Sequence, residues 1–200
     1  MTHLVVEPRS FFFGTPVVLI STLNEDGSAN LAPMSSAWWM RWSCMLGLSA
    51  KGKTVQNLRR ERQCVLNLPS WDLGGAVDRL QDTTGLNPVP EDKAARGYRY
   101  EPDKFGAAQL TPVASELVGP PRVAECPVQL EAVIEAVHPF GRADEQLVGI
   151  EARIVRAHIE ESILVPGQHQ YVDGDTWSPL IFSFGEFYGL SSAPTATSAA

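Results

Sequence analysis

The sequence has no apolar run near the ~20 residues that a membrane-crossing helix requires. Its start, MTHLVVEPRSFFFGTP, carries an acid and a proline inside the apolar part and lacks a small-residue cleavage pattern. It therefore reads as no signal peptide, and a cytoplasmic location with no membrane contact is expected. Positive charge is scarce: 16 Lys and Arg stand against 23 Asp and Glu, a formal net charge of −7. That excludes the broad basic face of a nucleic-acid binder, but leaves room for one small basic pocket. Cysteine is scarce too. Cys44, Cys64 and Cys126 are odd in number, widely spaced and set in apolar stretches without a CxxC, so buried reduced thiols are expected rather than a disulfide framework or a zinc site. The four histidines, His3, His138, His158 and His169, are dispersed and show no metal-ligand spacing, so no metal is expected. Neither GxGxxG nor GxxxxGK[ST] occurs, and no Ser-His-Asp or paired-carboxylate pattern stands out.

What is present is strand after strand. The chain of 200 residues is 44% apolar, enough for one domain with a sizeable core. TPVVLISTL (15–23) is β-branched and apolar, and NEDG (24–27) ends in the Asp-Gly hairpin signal. SANLAPMSSAWWM (28–40) reads as the returning strand, with Pro33 marking an edge or a break in the ladder. SCMLGLS (43–49) is a third strand, KTVQNLRRER (53–62) a short helix facing inward through Val55 and Leu58, and QCVLNLPS (63–70) a fourth strand. The alternating segments 123–140 and 146–161 suit an antiparallel pair, and LIFSFGEFYGL (180–190) a final strand.

Between them, 71–122 is rich in Gly and Pro and holds the remaining helical signals, one with Leu73, Val77 and Leu80 on its buried side. One domain over 1–190, with 71–122 as a helical and loop insertion, is expected. The tail 191–200 is small and polar and expected to be disordered. Helices confined to one insertion, with no βαβ alternation, point to a closed or sandwiched antiparallel sheet.

One junction stands out chemically. SAKGKTVQN joins a strand to a helix and gathers two lysines (Lys51, Lys53), two hydroxyls (Ser49, Thr54) and an amide (Asn57). Free N–H groups and the positive dipole end at such a helix start suit an anion. Thr54 can cap the helix or donate to a phosphate oxygen, and these uses compete; a solvated loop with a helix cap is the simpler reading from spacing alone. The adjacent Trp38 and Trp39 add a second feature. Neighbours on a strand face opposite sides, so only one can enter the core and the other needs a partner.

The order hairpin TPVVLISTLNEDGSANLAPMSSAWW, strand CMLGLS, loop SAKGKTVQNLRRE and strand CVLNLP closely resembles the flavin reductase-like, FMN-binding split-barrel family. The matching motifs run from Asn30 to Ser35, from Ser49 to Leu58 and from Cys64 to Leu68, and the resemblance continues through Leu147-Val148-Gly149 to the closing FYGL.

It implies a mainly β fold, a six-stranded antiparallel Greek-key barrel that dimerises and holds FMN, in preference to FAD, near the subunit interface. Ser49, Lys51, Lys53, Thr54 and Asn57 would then cradle the flavin phosphate. Asn30 would also bind the flavin; Pro33, Met34, Ser35, Ser36 and Ala37 would line the isoalloxazine, Trp38 would wall the pocket, and His138 would touch the flavin or the incoming nicotinamide. Asp144-Glu145 stand where many free-flavin reductases carry Asp-His, and the long insertion resembles flavoredoxin-like members.

The expected activity is flavin reduction by NADH or NADPH through hydride transfer to the flavin N5. A non-catalytic FMN electron carrier serving a partner enzyme, such as an oxygenase, is the alternative. A barrel for pyridoxal phosphate or haem is a third reading.

Overall fold

A computed structural model describes residues 1–8 and 10–190; the tail expected to be disordered lies outside them. Strands β1 (Phe13–Pro16), β2 (Val18–Leu23), β3 (Ala29–Met34), β4 (Ala37–Met40) and β5 (Ser43–Ser49) lead into helix α1 (Lys53–Glu61) and strand β6 (Gln63–Leu68). The insertion carries α2 (Gly74–Gln81), β7 (Thr83–Thr84), α3 (Glu91–Ala94), β8 (Arg99–Tyr100), α4 (Lys104–Ala108) and the β9 (Pro112–Val113) and β10 (Arg122–Val123) pair. Two 13-residue strands follow, β11 (Val128–Phe140) and β12 (Leu147–Ile159). Two short hairpins complete the chain, β13 (Leu164–Val165) with β14 (Gln168–Val172) and β15 (Ile181–Ser183) with β16 (Glu186–Tyr188).

The main sheet runs β3-β2-β6-β11-β12-β5-β4, antiparallel throughout. Its two edges are β3 and β4, which only Ser35 and Ser36 separate in the chain. A flat sheet of seven strands would hold its edges about 29 Å apart, whereas three Cα steps reach at most about 11 Å. The sheet must therefore curl until its edges meet, which is the split-barrel closure.

The expected strand 28–40 is thus two segments with different partners: Pro33 pairs with Leu19 on β2, while Trp38 pairs with Met45 on β5. This is why seven segments are seen where six strands were expected. The expected strand 15–23 likewise divides, and β1 leaves the main sheet to pair with β15. The 180–190 segment turns at Phe184 and Gly185, both at positive φ, and becomes a hairpin.

Alternation sorts the side chains into two cores. Val18, Ile20, Cys44, Leu46, Cys64, Leu66, Ile134, Val148 and Ile150 fill the barrel, and α1 closes one end with Val55 and Leu58. Val17, Leu19 and Leu31 face outward instead, under Val77 and Leu80 of α2 and Phe105 and Ala108 of α4. Strand β2 is therefore buried on both faces, which explains its nearly continuous apolar run. The insertion is the cover over this half of the barrel. All three cysteines are free and buried, and burial pushes the Cys44 thiol up to about 12. No helix among the described residues is long and apolar enough to cross a membrane.

Candidate functional site

The β2–β3 hairpin turns at Gly27, whose φ of +83° favours glycine, and Asp26 accepts from the Ser28 amide and hydroxyl. This turn meets the start of α1. Asn30, Thr22, Thr54 and Asn57 form a buried polar knot there: the Asn30 amide donates to the Thr22 and Thr54 hydroxyls, both at 3.3 Å, and the Asn57 amide donates to Thr22 and to Asn24, both at 3.0 Å. Asn57 thus ties α1 to the hairpin and lines none of the cavities described below. Thr54 does not cap the helix. Gly52 is the N-cap, no side chain bonds to the free amides, and no acid occupies the first turn. The amides of Lys53, Thr54 and Val55 precede the first intrahelical bond, from Gln56 to Gly52, so an anion finds them available.

Above this helix start lies a cavity of about 180 Å³. Asn30, Pro33, Ser49, Lys53 and Thr54, all expected from the sequence, line one side. The insertion supplies the other: Thr83, Thr84, Lys93, Tyr98 and Lys104. No carboxylate lines it, in a chain with seven more acids than bases. Lys104 is only 3% exposed, its ammonium donates to the Thr83 hydroxyl, and among the described residues no carboxylate pairs with it. Burial, with the positive charges of Lys93 and Arg99 nearby, pushes its pKa down to about 8 despite Glu101. Burial also lowers Lys93, whose ammonium reaches the Thr84 hydroxyl at 3.5 Å and sits 5.4 Å from the centre of the Tyr98 ring.

Pro33, Gln81 and Tyr98 are shared with a second cavity of about 370 Å³, lined also by Phe12, Val17, Met34, Ser35, Ser36 and Phe182. The two form one groove, with hydroxyls and cations at one end and rings at the other. Ala37 is turned into the barrel core and lines neither cavity.

The remaining expected residues sit elsewhere. Lys51 is exposed and borders only a third, outer cavity. Lys53 borders both, but its ammonium lies 2.5 Å from Glu25, which Arg60 also holds at 3.0 Å. Trp39 is the tryptophan that packs on the barrel core, and Trp38 is 58% exposed on the outer face. His138 shares that face, half-exposed and 3.4 Å from Glu151. Neither Trp38 nor His138 lines the groove within one chain. The ladder sets Trp38, Met45 and Glu151 in one row and Ser36, Gly47, Gly149 and His138 near the next. Exposed Met40 and Phe140 extend this face.

Sequence reading missed the insertion's contribution, Lys104 above all. A signal exists: Asp103 caps α4 by accepting from Gly106, and Lys104 stands next to Phe105 and four residues before Ala108, on the buried face of the helix. A lysine at a core position asks for an anion.

The family description "Flavin reductase like domain" matches residues 9–191. YdfE, an uncharacterised protein of Bacillus subtilis (strain 168), is 37% identical over 185 residues, covering 92% of this chain and 88% of that protein. Among solved structures, flavoredoxin of Desulfovibrio vulgaris (Miyazaki F) superposes with a TM-score of 0.80 at 20% identity, covering 100% of this chain and 99% of that one. Nitrilotriacetate monooxygenase component B from Bacillus cereus does so with a TM-score of 0.76 at 17% identity, over 98% and 100% of the two chains. The NADH:FAD oxidoreductase SgcE6 of Streptomyces globisporus reaches 0.62 at 15% identity, over 94% and 86%.

Proposed function

The chain belongs to the flavin reductase-like domain family, and on that premise we propose that it binds FMN in the groove and reduces it with NADH or NADPH. The observation that carries this reading is the carboxylate-free corner, where buried Lys104 faces an uncapped helix start. The residues fit a flavin phosphate. The free amides of α1, the Ser49 and Thr54 hydroxyls and the Lys104 and Lys93 ammoniums offer donors and charge for a phosphate monoester. Because the Thr54 hydroxyl oxygen already accepts from Asn30, its proton is free to donate.

Bound there, a flavin supplies a ring that accepts hydride from a dihydronicotinamide. The chain's own part is to position and shield. Backbone and hydroxyl groups of Pro33 to Ser36 run beside the ring end of the groove, where Phe12, Val17 and Phe182 exclude water. The outer face with Trp38, Met40, His138 and Phe140 suits a second copy of the chain. In such a homodimer, Trp38 and His138 would serve the partner's groove. The relatives named as monooxygenase components support a partner oxygenase as the consumer of reduced flavin.

Binding is tested by titrating the purified protein with riboflavin and FMN. FMN is expected to bind tighter by about 100-fold, the worth of a charge-assisted phosphate site; equal affinities would remove the phosphate assignment. Anaerobic addition of NADH or NADPH to the FMN-loaded protein should bleach the flavin band. A band that persists with both donors would transfer the reading to an electron carrier.

A further inference from the structure

Pro33, Gln81 and Tyr98 border both the phosphate corner and the ring-end cavity. They form the neck of the groove, so a ligand that fills both ends must thread its linker past them. Pro33 comes from β3, Gln81 from the end of α2, and Tyr98 stands just ahead of β8. The Arg99 amide donates to the Asp82 carbonyl at 3.0 Å, which ties the chain beside Tyr98 to the chain beside Gln81.

The polar atoms at this neck are held and yet unspent. The Gln81 amide nitrogen donates to the Asp78 carboxylate at 2.9 Å. A carboxylate only accepts, so the nitrogen must face Asp78 and the carbonyl oxygen is the end left over. The Tyr98 ring is fixed by two cations, with the Lys93 ammonium 5.4 Å and the Arg96 guanidinium 5.3 Å from its centre. Its amide also donates to the Lys93 carbonyl at 3.1 Å. Among the described residues, nothing bonds to the Gln81 carbonyl oxygen or to the Tyr98 hydroxyl.

A carbonyl oxygen selects a donor, and a phenol bonds either way. Beside a proline, they suit a linker that carries hydroxyls along an aliphatic chain. A flavin joins its ring to its phosphate by such a chain, the ribityl group. Pyridoxal phosphate joins ring and phosphate through a single methylene and has nothing to place at the neck.

We propose that Gln81 and Tyr98 are the specificity-determining pair for the ribityl chain, whose hydroxyls donate to the Gln81 carbonyl and bond to the Tyr98 phenol. The inference rests on the flavin reading above and adds recognition of a polyol between the ring end and the phosphate corner.

Three flavins separate the three parts of the groove. Lumiflavin, with a methyl group in place of the ribityl chain, reports the ring end alone; riboflavin adds the neck, and FMN adds the phosphate corner. Their dissociation constants for the full chain are measured by flavin fluorescence, alongside the KM for NADH. Wild type is expected to bind riboflavin about tenfold tighter than lumiflavin, the worth of one or two net hydrogen bonds. Gln81→Leu removes the acceptor at similar volume and should weaken riboflavin about fivefold, with lumiflavin within about twofold. Tyr98→Phe keeps the ring between its two cations and should weaken riboflavin about threefold, again sparing lumiflavin. Retained lumiflavin binding also shows that the variants fold. Riboflavin no tighter than lumiflavin in the wild type, or equal losses of both in the variants, would overturn the pairing and leave the FMN reading standing. A raised KM for NADH with riboflavin affinity intact would give the neck to the donor's ribose and overturn it too. Failure of every flavin to bind would overturn both readings.

Discussion

Two sets of lysines surround the start of α1, and they differ in what lies about them. Lys51 and Lys53 lie in the strand-to-helix loop: one is exposed, the other held 2.5 Å from Glu25. Lys104 and Lys93 come from the insertion, are desolvated, and have, among the described residues, only threonine hydroxyls and a ring as close partners. A paired surface lysine is already satisfied and gains little from a ligand. A buried lysine without a counter-ion is costly to the empty protein, and an anion removes that cost. The insertion thus supplies the strong charge and the loop supplies aligned amides and hydroxyls.

The largest expected effect follows directly. Lys104→Met should weaken FMN by about 2–3 kcal/mol, roughly 30- to 150-fold, while riboflavin affinity changes little. The same substitution should stabilise the flavin-free protein at neutral pH by about 1–3 kcal/mol, read from denaturant midpoints, because it removes an uncompensated buried charge. Opposite signs for binding and stability are a signature that a merely structural lysine would not give. A variant that loses both stability and FMN would make Lys104 a packing residue and break the comparison.

Protonation sharpens the same contrast. In the folded chain Lys104 sits at about 8, below the ordinary 10.5 of an unfolded lysine. From about pH 8 to 10.5 the unfolded state holds a proton that the folded state has released, so stability of the flavin-free protein rises with pH across that window. Phosphate binding needs the charged form, so FMN affinity moves the other way and should fall roughly tenfold between about pH 7 and pH 9.5. Below about pH 6 the phosphate itself takes up a proton and affinity falls again. Titrations of FMN against riboflavin check this; a profile that is flat above pH 8, or identical in Lys104→Met, would assign the charge elsewhere.

What could be read in advance divides along the same line. Residues 49–57 are contiguous, so their hydroxyls, lysines and helix start announce an anion site without any tertiary knowledge. The barrel strands were legible from alternation, and the Asn24–Gly27 hairpin from its turn residues. Lys104 was not, because its relation to Thr54, fifty residues earlier in the chain, depends on α4 packing over β3 and β2. Pro33 announced an edge or a break, but the break's place between β3 and β4 was hidden for a related reason: Ser35 and Ser36 mark where a strand changes partner, a property of barrel closure and not of local propensity. The facing of Trp38 and Trp39 was constrained to opposite sides, but which one entered the core was fixed by the register with Cys44 and Met45.

The smallest expected effects test whether the loop lysines really are the weaker set. Lys51→Ala removes a solvated charge that does not border the phosphate corner, and FMN affinity should change by less than about threefold. Glu25→Gln is the sharper variant. It frees Lys53 from its 2.5 Å ion pair and leaves Arg60 its bonds to Glu61, the Leu23 carbonyl and Asn57, without altering the cavity's shape. If Lys53 is a minor contributor, FMN should tighten by about twofold at low salt, and the gain should vanish at high salt because the pair lies at the surface. A salt-resistant gain of about tenfold or more would mean that Glu25 had been withholding a principal anchor. In that case the loop and the insertion would be equal partners, and the hairpin turn that carries Glu25 would set the affinity of the site.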